Sequence, residues 1–424
     1  MKPNAQSDRA SLIANFSALA GGHALGLIVP LLTVPYLARV LRPEGWAPVL
    51  VAQALAAWLS LLLDYGFDLS ATRAIAQARG GLRDIGGIVW RVQYAKLSLV
   101  PLAVVLMLIA YVFIPTLHEA RRLMLFTCAF GIVRGLNPLW FFQGLEQMRG
   151  AVFTDVAGKV LAALSVFVFV HEPSDAWKVL ALQALFATLS CGWLTLRLLR
   201  LVPATPWSLA SAMTELRQSW PLFVFRASST LYMQANTIIL SVFSSPLAVA
   251  AYGGAERIVR AAINLLEPVT RLLLPRISYL TTSNPSAAAK LIQRCLLILG
   301  VGSALAGAAI SLGAPLLVRL LLGDGYDAAV PVLRWLALLL PIITIATVLG
   351  TFWALPYKRD KLVLGATIAA GITNLSLAAL LVPRMEALGM ASAVVSAEAV
   401  VGVTLAFVYV RTRMTTPREA PVIL

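Results

Sequence analysis

The chain is short of charge. Asp, Glu, Lys and Arg make up 12% of its 424 residues, about half of what a soluble globular protein carries. The charge is also lopsided, with 34 Lys and Arg against 19 Asp and Glu. Three cysteines, Cys128, Cys191 and Cys295, stand far apart in apolar surroundings. Their odd number excludes a disulfide framework and fits buried, inert thiols. Three histidines, His23, His118 and His171, have no zinc-like spacing, so no metal is expected. No G-x-x-x-x-G-K-[ST] loop occurs, and G-G-L-R-D-I-G-G has neither the spacing nor a preceding strand. The chain therefore does not hydrolyse ATP by that route, and no cofactor is expected.

What is abundant is apolar surface: 59% of residues are hydrophobic and the mean hydropathy is +0.84. That supplies about twelve stretches of the roughly 20 residues that a membrane-spanning helix needs. An all-α integral membrane protein of about 12 transmembrane helices follows. Apolar runs between charge clusters and Pro/Gly punctuation place spans near 12 to 38, 47 to 64, 92 to 114, 123 to 144, 152 to 170, 178 to 196, 220 to 243, 248 to 274, 296 to 318, 330 to 354, 362 to 382 and 388 to 410.

The formal charge of +15 reads as topogenic rather than as a nucleic-acid footprint. With the N-terminus inside, about 20 Lys and Arg fall on cytoplasmic segments and about eight outside, so both termini are expected in the cytoplasm. Met1 to Ala10 is polar and leads into an apolar stretch too long for a signal peptide. The connection near 197 to 219 splits the spans six and six, as a transporter of two repeated halves would show. Residues 1–205 and 206–424 are the expected lobes. Asp324 and Asp327 read as polar residues of a short external turn.

Polar groups at membrane depth are the informative ones. Near 248 to 274, Gly253, Glu256, Arg257, Arg260, Asn264, Glu267 and Arg271 recur at three- and four-residue steps, one polar stripe on an apolar helix. Each ionised group near the bilayer centre costs about 2.5 to 3.5 kcal/mol, so the stripe should face protein or a wet cavity. Glu256 with Arg260, and Glu267 with Arg271, can pair at i,i+4.

Arg134 sits mid-span with no acid within one helical turn and shares its face with Asn137, Pro138 and Phe141. Gly131, Gly135 and Pro138 would loosen or kink that helix. Trp140 lies close by, whereas Trp46, Trp58, Trp90, Trp177, Trp207 and Trp220 read as interfacial anchors. Arg226 lies about 10 Å along its helix from the cytoplasmic end, within snorkelling reach. Ser229, Thr230, Gln234 and Thr237 continue polarity along that helix. His23 lies among Gly21, Gly22 and Gly26 and is a proton-relay candidate, while Glu398 is an isolated acid in the last span. Asp64 and Asp68, at a cytoplasmic mouth, are expected to pair with Arg73.

The blocks V-P-Y-L-A-R-V-L (34 to 41), L-D-Y-G-F (63 to 67), P-L-W-F-F-Q-G-L-E (138 to 146), A-A-Y-G-G-A-E-R-I (250 to 258), L-L-P-R-I-S (273 to 278) and L-L-G-D-G-Y (321 to 326) carry a resemblance. Together they resemble the oligosaccharide flippases of bacterial polysaccharide biosynthesis, the Wzx type within the MOP superfamily. After V-L this chain continues R-P-E-G-W-A, where that family more usually has Gly.

The resemblance implies two six-helix lobes around a central cationic cavity that opens alternately to the two faces. It implies an undecaprenyl-diphosphate-linked oligosaccharide as cargo, moved across the bacterial inner membrane for O-antigen or a related surface polysaccharide, and a polymerase machinery as partner. Arg134, Arg257 and Arg260, then Arg226, would meet the diphosphate. Asn137, Trp140, Gln234 and Asn264 would meet the sugar. His23, Glu256 and Glu267 are the coupling candidates for proton antiport, and a monomer is expected. The rival readings are a lipid II flippase, a multidrug or metabolite antiporter of the MATE kind, and a membrane glycosyltransferase, polymerase or ligase. The last would need a large catalytic external loop, which the sequence does not contain.

Overall fold

The computed structural model describes residues 5–78, 82–114, 117, 120–202, 206 and 208–415; side chains are described within these except at 5–31, 82–84, 225, 228–234, 271 and 413–415. Among the described residues there are helices and turns and no strand. Among the described residues, eight helical segments are long and apolar enough to cross a membrane. Two of them, Leu32–Gln77 with 46 residues and Asp360–Thr412 with 53, have the length for two passes each. The protein is a multi-pass, all-α membrane protein. The chain folds as two compact units, one of Met1–Val242 with Leu321–Gly325, the other of Phe243–Leu320 with Tyr326–Leu424.

In the first unit, α1 (Ala5–Asp64) is broken at Arg42, where φ is 53° and ψ is 176°. The sequence causes the break: Arg42 precedes Pro43, whose ring excludes the helical conformation at the residue before it and whose own fixed φ suits the first position of a new helix. Then come α2 (Phe67–Gln77), α3 (Leu82–Phe113), α4 (Arg121–Leu136), α5 (Leu139–Gly144), α6 (Met148–Phe169), α7 (Ala176–Leu201) and α8 (Leu209–Phe243). The second arm of α1 is the centre of this unit, packed on α3, α4, α6 and α7. Its Trp46, Leu63 and most residues between are buried. Trp46 is 0% exposed, so it is a core residue and not the interfacial anchor expected from its position near a span end. Cys191 is buried and Cys128 half-buried, both free thiols.

The second unit contains α9 (Pro246–Asn264), α10 (Leu266–Ser283), α11 (Pro285–Leu312), α12 (Ala314–Leu321), α13 (Ala329–Leu336), α14 (Leu339–Thr347), a π-helical turn at Val348–Ala354 and α15 (Asp360–Thr415). Helix α9 starts cleanly. Pro246 occupies its first turn and the Ser245 hydroxyl accepts a hydrogen bond from the Ala248 amide. From Ala248 to Ala255 every residue is buried, which the small Ala and Gly side chains allow by letting α13, α14 and α15 approach closely. Helix α15 is broken at Glu386 (φ 45°), close to the expected loop between 382 and 388. Cys295 is buried and free.

The outer surface is apolar. On α11, Leu297, Ile298, Leu305 and Leu312 are each more than two-thirds exposed, and on α3 so is Phe113. In water such faces would drive aggregation, but in a bilayer they are the ordinary solvent contact.

Candidate functional site

The first unit gathers charge around the end of α4. Gly131 and Gly135 stack this helix directly on the second arm of α1. A Cβ at Gly131 would lie 2.9 Å from Leu59 Cβ, and one at Gly135 would lie 2.5 Å from Leu63 Cβ. The expected loosening by these glycines is therefore replaced by close packing. The break comes two residues after Gly135. Asn137 precedes Pro138 and adopts φ −55° and ψ 125°, ending α4, while its Oδ1 accepts a hydrogen bond from the Leu139 amide at 3.0 Å and starts α5.

That close approach brings the Gly135 carbonyl to a buried lysine that sequence reasoning overlooked. Lys96, 0% exposed, donates from Nζ to the Gly135 oxygen at 2.9 Å and to Asp64 Oδ1 at 3.0 Å, with the Trp140 ring centroid 6.0 Å away. Trp140 is itself 3% exposed, and its backbone oxygen accepts from Thr72 Oγ1 at 3.1 Å. The indole is thus turned into the packed interior.

Two further ion pairs complete the cluster. Arg226 Nη2 meets Asp68 Oδ2 at 2.7 Å, and Lys159 Nζ meets Asp155 Oδ2 at 2.6 Å. Asn137 Nδ2 donates to the other Asp155 oxygen at 3.1 Å. Asp64 and Asp68 therefore bind Lys96 and Arg226, not the Arg73 expected from sequence proximity. The Asp68–Arg226 contact belongs to a patch that ties α2 to α8. Tyr65 stacks on Phe223 at 4.4 Å, and the Ser70 and Ser219 hydroxyls lie 3.1 Å apart.

Arg134 stands apart from these pairs. Its side chain is exposed, it feels the carboxylates of Asp155 and Asp64, and among the described residues it makes no ion pair or side-chain hydrogen bond. The local account is three carboxylates, each occupied by a cation, and one cation over. That is an anion-attracting arrangement.

In the second unit the expected i,i+4 pair is present. Arg260 donates from Nε and Nη2 to Glu256 Oε1 at 2.9 and 2.7 Å. Glu398, on α15, also acts on Arg260. Glu256, Arg257 and Arg260 are all half-buried on α9, with Arg257 under the influence of Glu256. The stripe does not run on one continuous helix as expected. The chain turns at Leu265 between α9 and α10, leaving Asn264 exposed at the end of one helix and Glu267 in the first turn of the next. An acid there is favoured by the helix dipole. The side chains of His23, Gln234 and Arg271 lie outside the described residues, and so does the expected Glu267–Arg271 pair. Among the described residues no His, Cys, Asp and Glu group is placed to hold a metal ion.

Lys96 and Asp155 were the residues missed. The signal for Lys96 was present: a lone lysine inside the apolar run near 92 to 114, in Y-A-K-L-S-L. A lysine so close to a span end can reach the interface by snorkelling, so the sequence alone does not mark it. Only the packing of α4 on α1 reveals that it is sealed in.

Comparison with known proteins agrees with this architecture. A protein of Escherichia coli (strain K12) named "Putative O-antigen transporter" is 28% identical over 416 residues, covering 96% of this chain and 98% of that one. A Shigella dysenteriae protein of the same name is 28% identical over 384 residues, covering 89% and 95%. Among solved structures, the lipid II flippase MurJ in an inward closed conformation superposes with a TM-score of 0.73 at 14% identity, covering 94% of this chain and 87% of that one. An inward-facing multidrug resistance MATE family transporter of the MOP superfamily gives 0.65 at 16% identity, covering 92% and 98%. At such identities these structures establish a shared fold alone. Residues 12–281, more than half of the chain, match the family described as "Polysaccharide biosynthesis protein", and the chain belongs to that family.

Proposed function

We propose that this protein is a flippase that moves undecaprenyl-diphosphate-linked oligosaccharide repeat units across the bacterial inner membrane for surface polysaccharide assembly. The observation that carries the reading is Arg134, an exposed cation left over when every carboxylate of its cluster is paired. A diphosphate is what such a group would attract. One unit charge at about 4 Å and an effective dielectric near 20 is worth about 4 kcal/mol before desolvation is set against it. Membership of a polysaccharide biosynthesis family and two relatives named for O-antigen transport supply the cargo class.

In this reading residues 1–205 and 206–424 form two lobes around a cavity that opens alternately to the two faces. Arg134, Arg226, Arg257 and Arg260 are the cations that meet the diphosphate. Asn137, Gln234 and Asn264 serve the sugar. Both termini lie in the cytoplasm, one chain suffices, and the product passes to a polymerase. Proton antiport through Glu256, Glu267 and His23 drives the cycle, because an ion can shift inward and outward states only by binding them unequally.

The test is a deletion strain complemented at matched membrane abundance with wild type, Arg134→Ala, Arg257→Ala or Arg418→Ala as control. Loss of surface polymer with accumulation of cytoplasm-facing lipid-linked repeat units in the first two variants alone is the expected result. Normal polymer in the deletion itself, with increased drug sensitivity, would replace this reading with a drug antiporter. Arrest of cell-wall synthesis in the deletion would replace it with a lipid II flippase.

A further inference from the structure

Lys96 is costly to keep. A fully buried ammonium in a membrane protein must be held by compensating groups, and this one has two: Asp64 at 3.0 Å and the Gly135 carbonyl at 2.9 Å. A methionine of similar length would fill the same space. The reason for a lysine is therefore to be sought in what it binds.

What it binds is the carboxylate that competes for Arg134. Asp64 is one of two acids whose charge reaches Arg134, and the other, Asp155, is already engaged by Lys159 and Asn137. The remaining acid nearby, Asp68, is held by Arg226. Remove the Lys96 ammonium and Asp64 becomes the one uncompensated anion of the cluster, with Arg134 the one cation of that cluster that makes no ion pair among the described residues. An arginine drawn onto Asp64 is no longer an anion site. Lys96 also fixes where Arg134 stands, since it hydrogen-bonds the carbonyl of the next residue, Gly135.

We propose that Lys96 is a positioning residue for diphosphate recognition: it occupies Asp64, and thereby keeps the adjacent Arg134 guanidinium available to the cargo. Lys96 itself, sealed beneath α4 and Trp140, does not touch the lipid. This inference rests on the assignment of Arg134 in the proposed function.

The experiment measures binding of undecaprenyl diphosphate to the full-length protein in lipid nanodiscs, for wild type, Arg134→Ala, Lys96→Met and the double variant Lys96→Met with Asp64→Asn. Thermal unfolding checks that each is folded. Lys96→Met should weaken binding by about tenfold. The double variant removes the orphaned carboxylate as well and should return to within about threefold of wild type. A purely structural lysine would not be rescued by deleting its partner's charge.

Wild-type affinity in Lys96→Met overturns the proposal. So does a folded double variant that stays as weak as Lys96→Met, which would make the lysine a direct ligand. Should Lys96→Met not fold, Lys96→Gln takes its place, removing the charge while keeping a hydrogen-bond donor in the buried site, with the same tenfold weakening expected and the same rescue by Asp64→Asn. Wild-type affinity in Lys96→Gln, or no rescue, overturns the proposal. Arg134→Ala separates the two levels. If it binds as wild type, the assignment of Arg134 falls and the inference with it. If it binds weakly while Lys96→Met binds normally, only the role of Lys96 falls.

Discussion

At the scale of single residues, what matters in this protein is how charges are matched. The sequence shows Arg134 without an acid on its own helical turn, and the fold brings Asp64 and Asp155 near it from other helices while occupying both with lysines. Another consequence of residue identity lies at Arg42. It holds φ 53° and ψ 176°, a region that is essentially glycine's, at the very position where the flippases it resembles more usually carry glycine. Replacing Arg42 by Gly should therefore stabilise the purified protein by about 1 kcal/mol, the relief of strain exceeding the extra chain entropy. A rise in thermal midpoint in detergent would bear this out, and a fall would mean that the arginine side chain contributes more than its backbone costs.

At the scale of elements, helix ends and helix crossings carry the energetics. The crossing of α4 on α1 depends on two missing side chains. Gly135→Ala would place a methyl 2.5 Å from Leu63 Cβ, a point with no freedom to move aside, and should cost about 1–3 kcal/mol. The same change should lower transport more than its stability loss explains, since it displaces the carbonyl that Lys96 binds. Transport at wild-type level with reduced stability would argue that this crossing is structural only.

By contrast, Asn284 caps α11 from an exposed position, its Oδ1 accepting from the Ala287 amide at 3.0 Å. Asn284→Ala should cost about 1 kcal/mol in unfolding and leave transport unchanged. The sequence announced several of these element ends through Pro43, Asn137–Pro138 and Pro246. It misplaced others. The stripe from Gly253 to Arg271 has unbroken helical spacing on paper, yet the helix is interrupted at Leu265, because Pro268 has no amide to donate to the Asn264 carbonyl four residues back.

At the scale of the whole molecule, the blocks that carry the family resemblance do mostly structural work. In L-D-Y-G-F, Tyr65 and Gly66 both take left-handed backbone conformations, and in L-L-G-D-G-Y so do Gly323 and Gly325. Trp140, Phe141 and Phe142 are core residues, and Tyr36 donates from its hydroxyl to the Val170 carbonyl at 2.6 Å. Such motifs identify the fold efficiently because turns and close contacts tolerate few residue types. They say little about cargo. The coupling ion belongs to this scale too: collapsing the proton gradient across vesicles should abolish uptake of lipid-linked repeat units, and unchanged uptake would leave a sodium-coupled or passive cycle.

The sequence by itself determined that this is a helical protein of the bilayer, because hydropathy, charge scarcity and span length are local properties summed along the chain. It also determined the Glu256–Arg260 pair, whose partners are one helical turn apart. Only the tertiary structure decided that Lys96 meets Asp64, that Asp68 meets Arg226, and that Trp46 is a core residue. Those partners are joined by helix packing, and the energy of a buried charge depends on neighbours that sequence spacing does not reveal.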